Sequence, residues 1–370
     1  MKRLLLLLSL LTMVLAVDAR RPKVGLVLSG GGAKGAAQIG ALKFIEKYDI
    51  PIDYIAGSSI GSIIGCLYAA GYSAETMEKI LCDHPLLAFL TDRREDLRYK
   101  PLARTTNPLT NETLNYIFGF PALNFRNNCP GLLSCDNVEH LIDSLLKRKG
   151  ITDFRQMPIP FKCTATDFKL FKHVKEVVLE SGKVSTAVKA SMAFPVVIKH
   201  QQRDNQHLID GGMMNNLPID VVKDMGADIV IVVDLTQGKI TDDDEELRLD
   251  SFFDLLNLIK DLGLDFVNSF IHSTLNLGRR AAASLIKEDQ WGIVGWTLHR
   301  PDNKKYLANI ALYPDDKCIF INPRLPGFTI TSFSQEALKD MVKKGEEAAK
   351  QHKRELIRLA RQTNDLLRYN

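Results

Sequence analysis

The stretch IDYIAGSSIGSIIGCLYAAGY, residues 52–72, opens as a buried strand and closes as a helix. IDYIAG is short, β-branched and apolar, whereas SIIGCLYAAG is a longer apolar run stopped by Gly71. Between them, Gly57-Ser58-Ser59-Ile60-Gly61 must turn a strand into a helix within a few residues. Two readings fit. The glycines serve the tight turn alone, or they hold Ser59 out as a nucleophile beside a helix N-terminus that stabilises negative charge. The pentapeptide also arises by chance, so the rest of the chain has to decide.

Upstream, KVGLVLS (23–29) reads as another buried strand, GGGAKG (30–35) as a loop, and AAQIGALKFIEKY as a helix. Downstream, SAETMEKIL has Ser73 as N-cap, residues 91–135 are irregular, and CDNVEHLIDSLLKRKG is a helix ended by Gly150. PFKCTATDF and HVKEVVLESG read as a hairpin, STAVKASMAF as a helix ended by Pro195, and PVVIKH and QHLIDGG as strands paired around QQRDN. ADIVIVVDL (227–235) is one more buried strand. Strands alternating with helices predict an α/β layered sandwich with a largely parallel central sheet and flanking helices. Residues 239–290 read as a helical insertion. There Phe252, Leu255, Leu256, Ile259, Leu262, Phe266 and Phe270 fall at helical spacing, either a core-packing face or a membrane-docking or lid element. A charged helix is expected around 333–363.

The N-terminus, MKRLLLLLSLLTMVLAVDA, has two positive charges, an apolar run from Leu4 to Ala16, and small residues Val17 and Ala19 placed for cleavage. The run is shorter than the about 20 residues that span a bilayer. Residues 1–19 are read as a signal peptide and the protein as exported, periplasmic or secreted. Arg20 and Arg21 after the cut keep an uncleaved anchor as the alternative. A net charge of +4 in 370 residues, without basic stretches interleaved with aromatics, excludes a nucleic-acid surface. Six cysteines show no Cys-x-x-Cys spacing and no His-Glu-x-x-His occurs, so no metal site is expected.

GGGAKG contains Gly30-x-Gly32-x-x-Gly35 between strand and helix, a loop whose N–H groups stabilise an anion. A dinucleotide site would use Asp53, but Asp53 precedes its strand instead of ending it. A P-loop would place lysine after the last glycine, and Lys34 comes before it. The third reading is an oxyanion hole serving Ser59, since adjacent parallel strands bring their following loops to one edge. The serine needs a base. Among eight histidines, His207 lies three residues before Asp210 in QHLID, which puts the two on opposite strand faces. Asp210, followed by Gly211 and Gly212, is the better candidate, with a turn aspartate as the plain alternative.

GGGAKG, GSSIG and DGG in this order, with ASMAFPVV before the aspartate and GMMNNLP after it, resemble the patatin-like phospholipase family from Lys23 to about Leu235, and more loosely through IFINPRLPGF (319–328). The resemblance implies a Ser-Asp dyad acyl hydrolase acting on lipid esters with no cofactor. Ser59 matches the nucleophile and Asp210 the base. Gly30, Gly31, Gly32, Ala33, Lys34 and Gly35 match the oxyanion loop, with N–H groups near Gly31 and Gly32 holding the oxyanion. Gly57, Gly61, Gly211 and Gly212 support the elbow and the aspartate turn, and Asn216 and Pro218 match an Asn-x-Pro. Lys34 stands where the family has a basic residue, often arginine. A lipid acyltransferase, a general carboxylesterase or a non-catalytic lipid-binding protein are the alternatives. A membrane surface and a homo-oligomer are compatible partners.

Overall fold

The computed structural model describes residues 21–82, 131–168, 174–194, 196–236, 302–330 and 332–364. The expected signal segment, the insertion at 239–290 with its apolar stripe, and most of the irregular 91–135 stretch lie outside them. Among the described residues, no helix is long and apolar enough to cross a membrane.

Parallel strands β10 (Cys318–Ile321), β9 (Ile229–Val233), β1 (Val24–Leu28), β2 (Tyr54–Ser58) and β4 (Phe161–Phe168) follow one another across the central sheet. Covered on both faces, β1 and β9 are apolar throughout instead of alternating with polar residues. Leu26, Leu28, Ile55, Ile231 and Val233 join the larger core, and Val27, Ala56, Val230 and Val232 the smaller one behind the sheet. On the first face lie α1 (Ala36–Glu46), α2 (Ile60–Ala69), α3 (Ala74–Cys82), α4 (Asp136–Arg148), α5 (Val184–Ser191), α8 (Gln335–Gln351) and α9 (Lys353–Thr363). On the second lie α6 (Ile219–Asp224) and α7 (Asp302–Ile310). The expected α/β sandwich with a largely parallel sheet is the observed fold. Each fully buried Leu or Ile contributes about 1.5–3 kcal/mol.

β4 organises the far side of the sheet. One of its edges pairs antiparallel with β5 (Val174–Leu179), from Cys163 to Phe168. Its other edge is shared. β2 runs parallel along it as far as Ser58 opposite Thr164, and β8 (Gln206–Asp210) runs antiparallel from Leu208 opposite Asp167 to Asp210 opposite Ala165. The two strands therefore meet end to end. β8 also pairs with β7 (Gln201–Arg203) through a turn in which Asp204 takes a positive φ of 53°.

Here the sequence reading needs a correction. QHLID pairs with QQR, not with PVVIKH: β6 (Val196–Ile198) leaves the sheet and pairs parallel with β3 (Gly131–Leu133). Asp204 and Asn205 suffice for the two-residue hairpin turn, which frees the preceding apolar run for another partner. α5 stops at Ser191, before Pro195, and the C-terminal charged segment is two helices that meet at His352.

Candidate active site

Ser59 directly follows β2 and caps α2 with φ 51° and ψ −124°, a conformation that costs a non-glycine residue about 1–3 kcal/mol. The flanking glycines make it physically attainable. A Cβ on Gly57 would lie 2.3 Å from the Gly61 carbonyl oxygen, and a Cβ on Gly61 would lie 2.2 Å from that of Leu28. Any larger residue at either place drives the elbow open.

The end-to-end meeting of β2 and β8 along β4 delivers the partner. Ser59 Oγ donates to Asp210 Oδ2 at 2.6 Å, and Asp210 is 3% exposed. The other carboxylate oxygen, Oδ1, accepts from the Gly212 N–H at 2.7 Å. Thr166 Oγ1 donates to the Asp210 carbonyl at 2.9 Å and locks the end of β8 to β4. A carboxylate so held has one oxygen fixed by the backbone and the other aimed at the serine. This pair can move a proton.

His207 takes no part in it. Its Nδ1 lies 3.1 Å from Nε2 of His200, the rings stack at 5.1 Å, and its N–H donates to Asp167 Oδ1. Alternation along β8 separates it from Asp210, as strand parity requires.

GGGAKG becomes a short 3-10 turn, Gly32–Gly35, that leads into α1. Three of its N–H groups are used inside the protein: Gly30 donates to Asn216 Oδ1 at 3.0 Å, Ala33 to the Ile330 carbonyl at 2.8 Å, and Lys34 to the Gly31 carbonyl at 3.2 Å. Among the described hydrogen bonds, none engages the N–H of Gly31 or Gly32. Gly35 is buried within the turn. Of the six loop residues expected to form the anion site, Gly30, Ala33 and Lys34 thus have their N–H groups committed, and Gly31 and Gly32 have none committed among the described bonds. A Cβ on Gly30 would meet Ser59 Cβ at 3.0 Å, so the loop and Ser59 are in direct reach.

Several residues at the site were not singled out by sequence reasoning. Ser191 Oγ accepts the Ser59 N–H at 3.0 Å; this serine lies in the ASMAFPVV stretch, but nothing in that stretch assigned it a role. Asn216 stood in the Asn-x-Pro, but its contact with Gly30 spans 186 residues of sequence. Behind it, buried Asn215 donates to Glu176 Oε1 at 2.7 Å and to Asp220 Oδ1 at 2.9 Å, and Lys305 Nζ reaches both carboxylates.

Asp53, weighed for a dinucleotide, is committed elsewhere. It accepts from Arg21 at 2.7 and 2.8 Å, from Lys23 Nζ at 2.8 Å and from the Val24 N–H at 2.9 Å. Burial would raise its pKa, but the Arg21, Lys23 and Val24 hydrogen bonds outweigh that and hold the carboxyl below its usual range. Burial pushes the Cys66 and Cys163 thiols well up, so both are inert packing groups.

A family model described as patatin-like phospholipase matches residues 26–223. A lysophospholipase nte1 of Aspergillus niger is 30% identical over 228 residues, 62% of this chain and 13% of that protein. An uncharacterized NTE family protein of Mycobacterium bovis is 29% identical over 214 residues, 58% of this chain and 49% of its own. The chain thus spans between about an eighth and about half of the length of these curated relatives. The solved structure of VipD from Legionella pneumophila aligns over 92% of this chain and 67% of its own, at 15% identity and a TM-score of 0.43. The matched residues run from β1 through Ser59 and Asp210 into α6, which is the stretch that builds the elbow, the glycine loop and the aspartate turn, and the chain belongs to the patatin-like phospholipase family.

Proposed function

We propose that this protein is a serine acyl hydrolase that cleaves the ester bonds of phospholipids or lysophospholipids through a Ser59–Asp210 dyad. The observation that carries the reading is the 2.6 Å bond from Ser59 Oγ to a buried carboxylate, made from a strained elbow. Family membership and the lysophospholipase relative support the lipid substrate.

Asp210 takes the Ser59 proton as Oγ attacks the ester carbonyl carbon. The carbonyl oxygen becomes an oxyanion and accepts from the Gly31 and Gly32 N–H groups. One such donor is typically worth about 2.7–4 kcal/mol in the transition state. Collapse breaks the bond to the leaving alcohol, which receives the proton from Asp210, and Ser59 carries the acyl group as an ester. A water then gives its proton to Asp210 and attacks that ester. The fatty acid leaves, and Ser59 Oγ recovers its proton from Asp210. The N-terminus of α2 faces the negative charge throughout.

The test is incubation of the purified protein with a mixed lipid panel, with released fatty acids read by mass spectrometry. Release by the wild type and none by Ser59→Ala is the expected result; equal release by both overturns the reading.

Export belongs to the same reading. The support is the N-terminal pattern, and cleavage after Ala19 would leave the pairing of Arg21 and Lys23 with Asp53 in place. N-terminal sequencing of the native protein should begin at Arg20, and an intact Met1 on membrane-bound protein would establish the anchor instead.

A further inference from the structure

α5 ends at Ser191, and Met192, Ala193 and Phe194 carry the chain on toward β6. This short passage touches the main chain of both residues of the dyad. Ser191, fully buried, accepts the Ser59 N–H on its hydroxyl oxygen at 3.0 Å. Two residues later the Ala193 carbonyl accepts the Asp210 N–H, also at 3.0 Å.

The first contact answers a specific need. As the residue that caps α2, Ser59 has an N–H outside the helix ladder, and β2 has already ended, so neither element offers it an acceptor. A buried N–H without an acceptor is costly, and a strained elbow persists only where its surroundings over-determine it. Ser191 supplies the acceptor from across 132 residues of sequence. The passage that carries it is gripped on both sides. Lys189 of α5 is buried and pairs with Asp136 and Glu139 of α4, and β6 pairs with β3.

We propose that Ser191 is a positioning residue for the dyad. Its hydroxyl oxygen fixes the Ser59 main chain in the elbow conformation, while the adjoining Ala193 carbonyl fixes Asp210, so that the serine and carboxylate stay in register as the acyl-enzyme forms and breaks. The proposal rests on Ser59 acting as nucleophile. It also removes the Ser59 N–H from the set of oxyanion donors and leaves that task to the glycine loop.

The experiment compares Ser191→Ala, Ser191→Thr, Ser185→Ala and Ser59→Ala on a soluble short-chain ester, beside the rate of labelling by a fluorophosphonate. In that labelling Ser59 Oγ bonds to phosphorus, fluoride leaves, and Asp210 takes the proton. Ser185 is the control: it is buried on the same helix, but its hydroxyl faces Asp143 and not the elbow. Ser191→Ala is expected to lower kcat and the labelling rate about 10- to 100-fold with KM within twofold of wild type, whereas Ser185→Ala stays within threefold on both. Wild-type kcat and labelling in Ser191→Ala, or a loss expressed in KM alone, overturns the proposal while leaving the nucleophile intact. Labelling that survives in Ser59→Ala overturns the hydrolase reading instead, whatever Ser191 does. Should Ser191→Ala fail to fold, Ser191→Thr decides, because it keeps an oxygen at the same place. Retention of at least a third of kcat supports the role, and a folded Thr variant as inactive as Ser59→Ala refutes it.

Discussion

At the scale of single residues, the site depends on where two side chains point. Ser59→Ala removes the proposed nucleophile and should lower turnover at least about 10³-fold with unchanged circular dichroism. Asp210→Asn should be nearly as damaging, because an amide keeps the shape but cannot accept the Ser59 proton. His207→Ala should cost less than about threefold, since its ring bonds to His200 and not to the dyad. Steady-state rates of the three variants separate a dyad from a triad, and a collapse of His207→Ala to the level of Ser59→Ala would restore the histidine. The sequence carried this distinction because strand alternation is strict: three steps along QHLID change faces. The glycine loop proposed to hold the oxyanion was legible only as a group of six. Which N–H groups remain available depends on Asn216 and Ile330, acceptors brought in from far along the chain.

At the scale of elements, α5 is held against α4 by a buried cation. Lys189 reaches Asp136 and Glu139, and Thr186 Oγ1 donates to Glu139 at 2.8 Å. Burial alone would raise the Glu139 pKa, but the hydrogen bonds from Thr186 and Lys189 bring it below its usual value. Burial likewise opposes the charge on Lys189, and Asp136 and Glu139 more than restore it, so its pKa is raised. The signs give a window. The depressed Glu139 contributes stability above its unfolded pKa, lost as pH falls through the folded value. The elevated Lys189 contributes stability below its unfolded pKa, lost as pH rises through the folded one. Thermal stability should therefore show a plateau from about pH 5 to 10 in which Lys189→Met is less stable than wild type, and the difference should shrink toward pH 3. Breaking a buried pair costs about 3–5 kcal/mol; Asp136 is 58% exposed and rehydrates, so about 2 kcal/mol is expected. Melting curves across pH check both the size and the shape, and a pH-independent difference would refute the ion pair as its cause. The periodicity located both helices, but nothing local to VSTAVKAS announces that Lys189 points inward. The misread partner of QHLID has the same origin: a strand is legible from its own residues, whereas its neighbour is chosen by tertiary contacts.

At the scale of the whole molecule, the site exists because strands remote in sequence end at the same place. Alternating strands and helices made the parallel sheet readable, yet the end-to-end meeting of β2 and β8 on one edge of β4 is a matter of register, which patterning does not specify. That junction is braced from behind. Asn309 of α7, 3% exposed, donates to Asn215 Oδ1 at 3.0 Å, to the Leu217 carbonyl at 2.8 Å and to Asp220 Oδ1 at 3.2 Å. Asn215 in turn bonds Glu176 of β5, and its own carbonyl accepts from Thr164 Oγ1 of β4 at 3.1 Å. One buried amide thus joins α7 to the turn that follows Asp210, to α6 and, through Asn215, to the sheet. Asn309→Leu keeps the approximate volume but leaves the Asn215 and Leu217 acceptors buried without this donor, at about 1–3 kcal/mol each. The expected result is a loss of about 3 kcal/mol in urea unfolding, with kcat at 25 °C falling far less than in Ser191→Ala, since no bond to Ser59 or Asp210 is removed. An unfolding midpoint equal to wild type would show that α7 is held by its apolar contacts, Tyr306 among them, and that the amide network follows the packing instead of holding it.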